Sequence, residues 1–181
     1  MLGEISREMN LLSILVMIVA TIALVTDLLF RKIPNVLTFS TMLLGCGLAF
    51  WDHSWKGLGF HLLAVVLGFG LYLGIYLAKA LGAGDVKLLM AFGALTGPKG
   101  VLDIGFLAIF IGAVMAVMIL ITRGRIAEFL HKMFRFVYAF EKPQVDHKLK
   151  MPFGVALSLS AVMTVLYHPL ESWGLRFWGS L

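Results

Sequence analysis

Long apolar runs constrain the fold of this chain more than any other feature of its sequence. A helix crosses a bilayer with about 20 apolar residues, and only 14% of the 181 residues are charged, against about 25% in a soluble domain. Because backbone groups in lipid must bond internally, we predict an all-α polytopic membrane protein, a single domain over 1–181. The six predicted transmembrane helices cover about 10–29, 36–51, 58–81, 86–98, 100–122 and 151–169.

The loops between these runs predict an orientation. Arg31 and Lys32 follow the first run, Lys79 and Lys87 flank the turn after the third, and seven Lys or Arg residues fall between 123 and 150. The intervening loops carry one Lys each. Because Lys and Arg accumulate on the cytoplasmic side, the three basic loops are expected in the cytoplasm and both termini outside. The first run lacks a small-residue cleavage site, so we interpret it as a retained span rather than a signal peptide.

The segment 124–141 has a different pattern, with apolar residues at helical spacing and basic residues on the other side. We predict a cytoplasmic amphipathic helix lying in the membrane interface. The formal net charge is +5, which favours contact with anionic lipid head groups. Since no nucleic-acid motif accompanies this charge, we expect no nucleic-acid partner.

Two aspartates are the candidate reactive groups. Asp27 ends the first apolar run and Asp85 opens the fourth, so the charge bias puts both at the cytoplasmic side. Ionisable groups in or near a bilayer are costly and usually functional. Two carboxylates that share one proton can activate water for peptide hydrolysis without metal or cofactor. The ordinary alternatives are a carboxylate in the head-group region for Asp27 and a helix N-cap for Asp85.

Three motifs resemble those of type IV prepilin peptidases. The stretch Gly82-Ala83-Gly84-Asp85 resembles the family's GxGD motif, and Asp27 followed by Ile33-Pro34-Asn35 resembles its first-aspartate motif. Near the C-terminus, Pro152-Phe153-Gly154 resembles its closing signature. The motifs occur in family order across nearly the whole chain.

The resemblance implies an aspartic endopeptidase of the prokaryotic cytoplasmic membrane that removes the short basic leader from prepilin or pseudopilin precursors. It implies that Asp27 and Asp85 are the catalytic pair and that no cofactor or metal is needed. The supporting residues that it implies are Gly82, Gly84, Lys87, Pro34, Asn35, Pro152, Phe153 and Gly154. For Lys87, charge tuning, a head-group contact and simple snorkelling all remain open.

The chain also departs from the larger members of that family. It has one cysteine, Cys46, and so lacks the paired cysteines associated with N-methylation. It resembles the short, peptidase-only branch, as in Tad/Flp pilus systems or archaeal preflagellin peptidases, and methyltransferase activity is not expected.

Two other kinds of function use the same sequence features. A small ion- or proton-coupled transporter would use the aspartates as a relay, although it predicts carboxylates deep within spans. A non-enzymatic assembly factor for a pilus would not need them at all.

Overall fold

Four apolar helices make up the described part of the computed structural model, which covers residues 11–78, 81–124, 131 and 152–167. They are α1 (Leu11–Phe30), α2 (Asn35–Leu77), α3 (Ala83–Thr122) and α4 (Phe153–Tyr167), and these ranges contain no strand. Three stretches are long and apolar enough to cross a membrane, namely Leu12–Phe30, His53–Leu77 and Ala83–Thr122. Asn35–Trp51 and Phe153–Tyr167 are shorter apolar helices.

The helix α2 is broken in the middle and folds back on itself. His53 and Ser54 leave helical geometry, and Ser54 has a φ of 56°. Beyond the break, a Cβ on Gly57 would contact the carbonyl oxygen of Ala49, whereas eight residues of straight helix span about 12 Å. The rings of Phe50 and Trp55 pack edge to face with centroids 5.2 Å apart. The break falls between the second and third predicted spans.

The helix α3 folds back at Gly97, which has a φ of 75° and a ψ of −178°. The Leu89 side chain comes within 3.4 Å of the Cβ position of Gly105, although 16 residues of straight helix would separate them by about 24 Å. Glycine suits this turn because positive φ is strained for other residues. The fourth and fifth predicted spans are therefore the two arms of one helical hairpin.

A histidine supports the Gly97 turn. Pro98 has no N–H to donate to the carbonyl oxygen of Ala94, four residues earlier. The Nδ1 atom of His61 lies 2.7 Å from that oxygen. Because a carbonyl can only accept, Nδ1 is the protonated nitrogen and replaces the missing backbone donor. His61 is thus a packed residue.

The core contains buried side chains from all four helices, and between the two hairpins glycines let backbones approach closely. A Cβ on Gly93 would lie 2.8 Å from the Ala64 carbonyl oxygen, and one on Gly45 would contact that of Ala94. Large side chains such as Phe92 and Leu88 fill this region and are fully buried. The outside is apolar as well: Leu43 is 76% exposed and Phe110 is 67% exposed. Such a surface suits lipid rather than water, which identifies a helical membrane protein.

Several helix boundaries differ from the predicted ones. The third span was expected to end near residue 81, but α2 ends at Leu77; the fourth was expected from residue 86, but α3 begins at Ala83. Asp85 consequently lies within the first turn of α3 and is not its N-cap. The predicted interfacial helix 124–141 lies almost entirely outside the described residues, so it stays a prediction.

Candidate active site

Asp27 lies three residues before the end of α1 and is 6% exposed. Its Oδ2 atom accepts a hydrogen bond of 3.1 Å from the backbone N–H of Val155. Val155 lies in the first turn of α4, where N–H groups have no partner within the helix. The start of α4 therefore holds the Asp27 carboxylate by a main-chain donor.

Gly154 leaves room for this contact. A Cβ at this position would lie 2.7 Å from Oδ2 and 2.9 Å from Cγ of Asp27, both closer than atoms that are not bonded can pack. The carboxylate thus packs directly against the backbone of the Pro152-Phe153-Gly154 segment. Only glycine at position 154 is compatible with this arrangement.

Asp85 closes the turn that begins α3. Gly82 is the N-cap, with extended backbone, and its N–H donates to Oδ2 of Asp85 over 3.1 Å. In return, the N–H of Asp85 donates to the carbonyl oxygen of Gly82, also at 3.1 Å. Such a reciprocal pair satisfies donors that a helix start leaves free. Asp85 is partly exposed, in contrast with Asp27.

Ile33 joins the two aspartate segments. Its Cδ1 lies 3.1 Å from the Cβ position of Gly154, and its own Cβ lies 3.4 Å from that of Gly84. The loop after α1 is therefore wedged between the starts of α3 and α4. The structure thus brings the three sequence motifs to one end of the helices.

Lys87 lies two residues after Asp85 and therefore on another side of α3, since two residues turn a helix by about 200°. Its Nζ donates a hydrogen bond of 3.0 Å to Oδ1 of Asn35 and lies 5.2 Å from the centroid of the Phe39 ring. Asn35 begins α2, and Pro34 is its extended N-cap. The lysine thus links the first-aspartate motif to the GxGD motif, a contact that sequence reasoning did not identify.

An aromatic pair supports the site from the side of α4. The rings of Phe153 and Tyr72 pack edge to face at 5.7 Å, and Phe153 also lies against Gly112. Tyr72 is fully buried and donates a hydrogen bond of 3.0 Å to the Gly105 carbonyl oxygen. No local sequence motif marks the connection of Tyr72 to Phe153.

The arrangement offers two carboxylates and several fixed backbone donors beside them. Such a pair can share a proton, with one carboxylate accepting a proton from water while the other donates a hydrogen bond. Within the described residues, no three His, Cys, Asp or Glu side chains are grouped so as to hold a metal ion.

Three comparisons with known proteins bear on the family of the chain. No curated protein and no solved structure gives a significant match. The family model of the type IV leader peptidase family matches residues 14–117, which include both aspartates and more than half of the chain. The chain therefore belongs to the type IV leader peptidase family and is a protease of the membrane.

Proposed function

We propose that this protein is an aspartic endopeptidase that uses Asp27 and Asp85 to remove the short basic leader from prepilin-like precursors. The observation that carries the proposal is the meeting of the three motifs at one end of the molecule, where Ile33 contacts both Gly84 and Gly154 and each aspartate accepts a hydrogen bond from a backbone N–H. Family membership supports a peptide substrate of this class.

The mechanism follows from two carboxylates that hold one proton between them. The ionised carboxylate takes a proton from a water molecule while the oxygen of that water attacks the scissile carbonyl carbon. The protonated carboxylate donates a hydrogen bond to the carbonyl oxygen. The tetrahedral intermediate then collapses, the C–N bond breaks, and the leaving amine takes up a proton from the pair. Water is consumed and two shorter peptides leave, one with a new carboxylate and one with a new amine.

We propose a topology of six membrane passes, with one each from α1 and α4 and two from each helical hairpin. A straight helix of the 40 residues in α3 would be about 60 Å long, twice the bilayer core of about 30 Å, and the reversal at Gly97 supports two passes instead. The basic loops favour a cytoplasmic position for the end that carries the aspartates. A precursor with a basic leader would meet the site from that side.

The transporter alternative is less well supported. A relay across a membrane needs carboxylates near the middle of the spans, whereas Asp27 and Asp85 lie within about one turn of helix ends. The assembly-factor alternative makes a different prediction about mutation, because a scaffold has no need for both carboxylates.

Coexpression with a candidate prepilin tests the proposal. The wild type is compared with Asp27→Asn, Asp85→Asn and the control Asp103→Asn, an exposed aspartate of α3. Leader removal is scored by gel shift and N-terminal sequencing, with membrane levels measured in parallel. We expect cleavage by the wild type and by Asp103→Asn and by neither other variant. Cleavage by a well-expressed Asp27→Asn or Asp85→Asn variant would exclude that aspartate from the reaction.

A further inference from the structure

The hydroxyl group of Ser158 is buried without a hydrogen-bond partner. Ser158 lies in the second turn of α4 and is 1% exposed. Among the described residues, its Oγ is the one buried side-chain nitrogen or oxygen atom that no other protein atom satisfies. Buried polar groups in proteins almost always have a partner, which is an ordered water molecule where no protein group is within reach. This hydroxyl therefore calls for a specific explanation.

Other buried hydroxyl groups of these helices bond to their own backbone. Ser160 donates to the carbonyl oxygen of Leu157 over 2.8 Å. Thr96 donates to that of Phe92, also over 2.8 Å. Such a bond is a common way for a serine or threonine inside a helix to satisfy its hydroxyl. Ser158 makes no bond of this kind, so its hydroxyl is available to a group outside α4.

The position of Ser158 on α4 brings it near the Asp27 carboxylate. A Cβ on Gly154, four residues before Ser158, would lie 2.7 Å from Oδ2 of Asp27. Residues four apart share a helix face with Cβ atoms about 5–6 Å from each other, and helical side chains lean toward the N-terminus. The hydroxyl of Ser158 thus leans toward the turn that holds Asp27. One water molecule with two hydrogen bonds of about 2.8 Å spans such a distance.

The facing part of α1 carries small side chains at this level. The end of α1 meets the start of α4 and the two helices pack against each other, so they run antiparallel. One turn before Asp27 on α1 lies Ala23, which is fully buried and adds only a methyl group. Ala20 and Ala161 belong to the same core. The α1 residue beside Ser158 is therefore small and apolar, and the Asp27 carboxylate lies one turn away.

We propose that Ser158 is a positioning residue for Asp27 and holds its carboxylate through one bound water molecule. The inference rests on the proposed function of Asp27. The backbone N–H of Val155 already binds Oδ2, and a water held by Ser158 supplies a second hydrogen bond to the carboxylate. A hydroxyl both donates and accepts, so it can retain a water that donates onward. Two bonds from different directions fix the orientation of a carboxylate that one bond leaves free to turn, and a reacting group needs a fixed orientation.

Removing one oxygen atom tests the proposal. Ser158→Ala is compared with Ser160→Ala, because Ser160 is also fully buried in α4 but bonds to its own helix. With purified enzyme and a prepilin peptide, we expect Ser158→Ala to lower kcat about tenfold while KM stays nearly constant. Ser160→Ala should stay within about twofold of wild type in both constants. An unchanged kcat in a folded Ser158→Ala variant would overturn the proposal.

A stability measurement separates this inference from the proposed function. Removing an unpaired buried hydroxyl should raise the thermal midpoint in detergent. If the hydroxyl instead holds a water against Asp27, Ser158→Ala lowers the midpoint, and the decrease disappears when Asp27→Leu is present. A higher midpoint, or the same shift in both backgrounds, would overturn the role of Ser158 whatever the activity. Absence of cleavage by wild type, with this coupling intact, would refute the proposed function alone.

Discussion

Lys87 and Asn35, 52 residues apart in the chain, are joined by a hydrogen bond of 3.0 Å between Nζ and Oδ1. The contact ties the start of α3, just after Asp85, to the start of α2, just after Ile33. Because Ile33 in turn packs against Gly84 and Gly154, this bond belongs to the contacts that hold the segments of both aspartates together.

Removing either partner of this hydrogen bond should slow leader cleavage, because the same interaction is lost in both cases. We expect Lys87→Met and Asn35→Leu each to slow leader cleavage about threefold to tenfold, and the double variant to be little worse than either. Cleavage rates of the four proteins form a double-mutant cycle, with an expected coupling of about 1 kcal/mol. Lys87→Arg, which can also donate to Asn35 and stack on Phe39, should retain most activity. Fully additive single effects would contradict a functional link between the two residues.

Gly154→Ala should abolish most activity. The added methyl group would occupy space 2.7 Å from Oδ2 of Asp27, so the carboxylate must move and lose its bond to Val155. A displacement of about 1 Å at a reacting group costs on the order of 100-fold in rate. Cleavage by purified enzyme in detergent measures the effect.

The matched control for this variant is Gly74→Ala, because a Cβ at Gly74 meets nothing within 4 Å. It should cleave at nearly the wild-type rate. A wild-type cleavage rate in Gly154→Ala would show that activity does not depend on the contact between Asp27 and the start of α4.

Gly97→Ala should destabilise the fold. Alanine at a φ of 75° and a ψ of −178° costs on the order of 1–3 kcal/mol, because only glycine adopts this backbone region readily, and its Cβ would also lie 3.2 Å from the Phe60 ring. The thermal midpoint in detergent should fall by several degrees. Gly59→Ala, in α2 with open space around its Cβ position, should leave the midpoint unchanged or raise it. Equal midpoints for the two variants would mean that the turn at Gly97 does not require glycine.

Tyr72→Phe removes the hydrogen bond to the Gly105 carbonyl oxygen but keeps the ring beside Phe153. Because Tyr72 is fully buried and the Gly105 carbonyl oxygen keeps its partner within α3, loss of this hydrogen bond should cost about 0.5–1.5 kcal/mol of unfolding free energy. Chemical denaturation in detergent measures this cost. Tyr167→Phe, at a side chain that is 75% exposed, is the control and should change stability by less than about 0.5 kcal/mol. A Tyr72→Phe variant as stable as the control would show that the hydrogen bond contributes nothing.

The apolar helices could be predicted from the sequence, because hydropathy is a pattern that is local in the chain. Hydropathy placed α1 and α4 within about two residues of their observed bounds, whereas the end of the third predicted span and the start of the fourth differ from the observed helix ends by four and three residues. Helix ends near glycine are less predictable: Asp85 lies inside the first turn of α3 because Gly82 can cap it in extended geometry.

Contacts between distant segments could not be predicted from local patterns. The donor to Asp27 is the backbone N–H of Val155, which any residue except proline would supply, so no side chain reveals it. In the sequence, Ile33 is an apolar residue like many others in the chain. Its packing against Gly84 and Gly154 depends on how the end of α1 meets the starts of α3 and α4. The contact of Lys87 with Asn35 could not be predicted either, because it joins two segments that are distant in the chain.

The bond from Val155 to Asp27 also sets an order of events during synthesis. The donor lies 128 residues after the acceptor, which the ribosome adds in roughly 6–25 seconds at 5–20 residues per second. Asp27 is therefore synthesised well before Val155, and its carboxylate gains this hydrogen bond only after the start of α4 has been made. Chains that end before Val155 therefore lack this restraint on the Asp27 carboxylate.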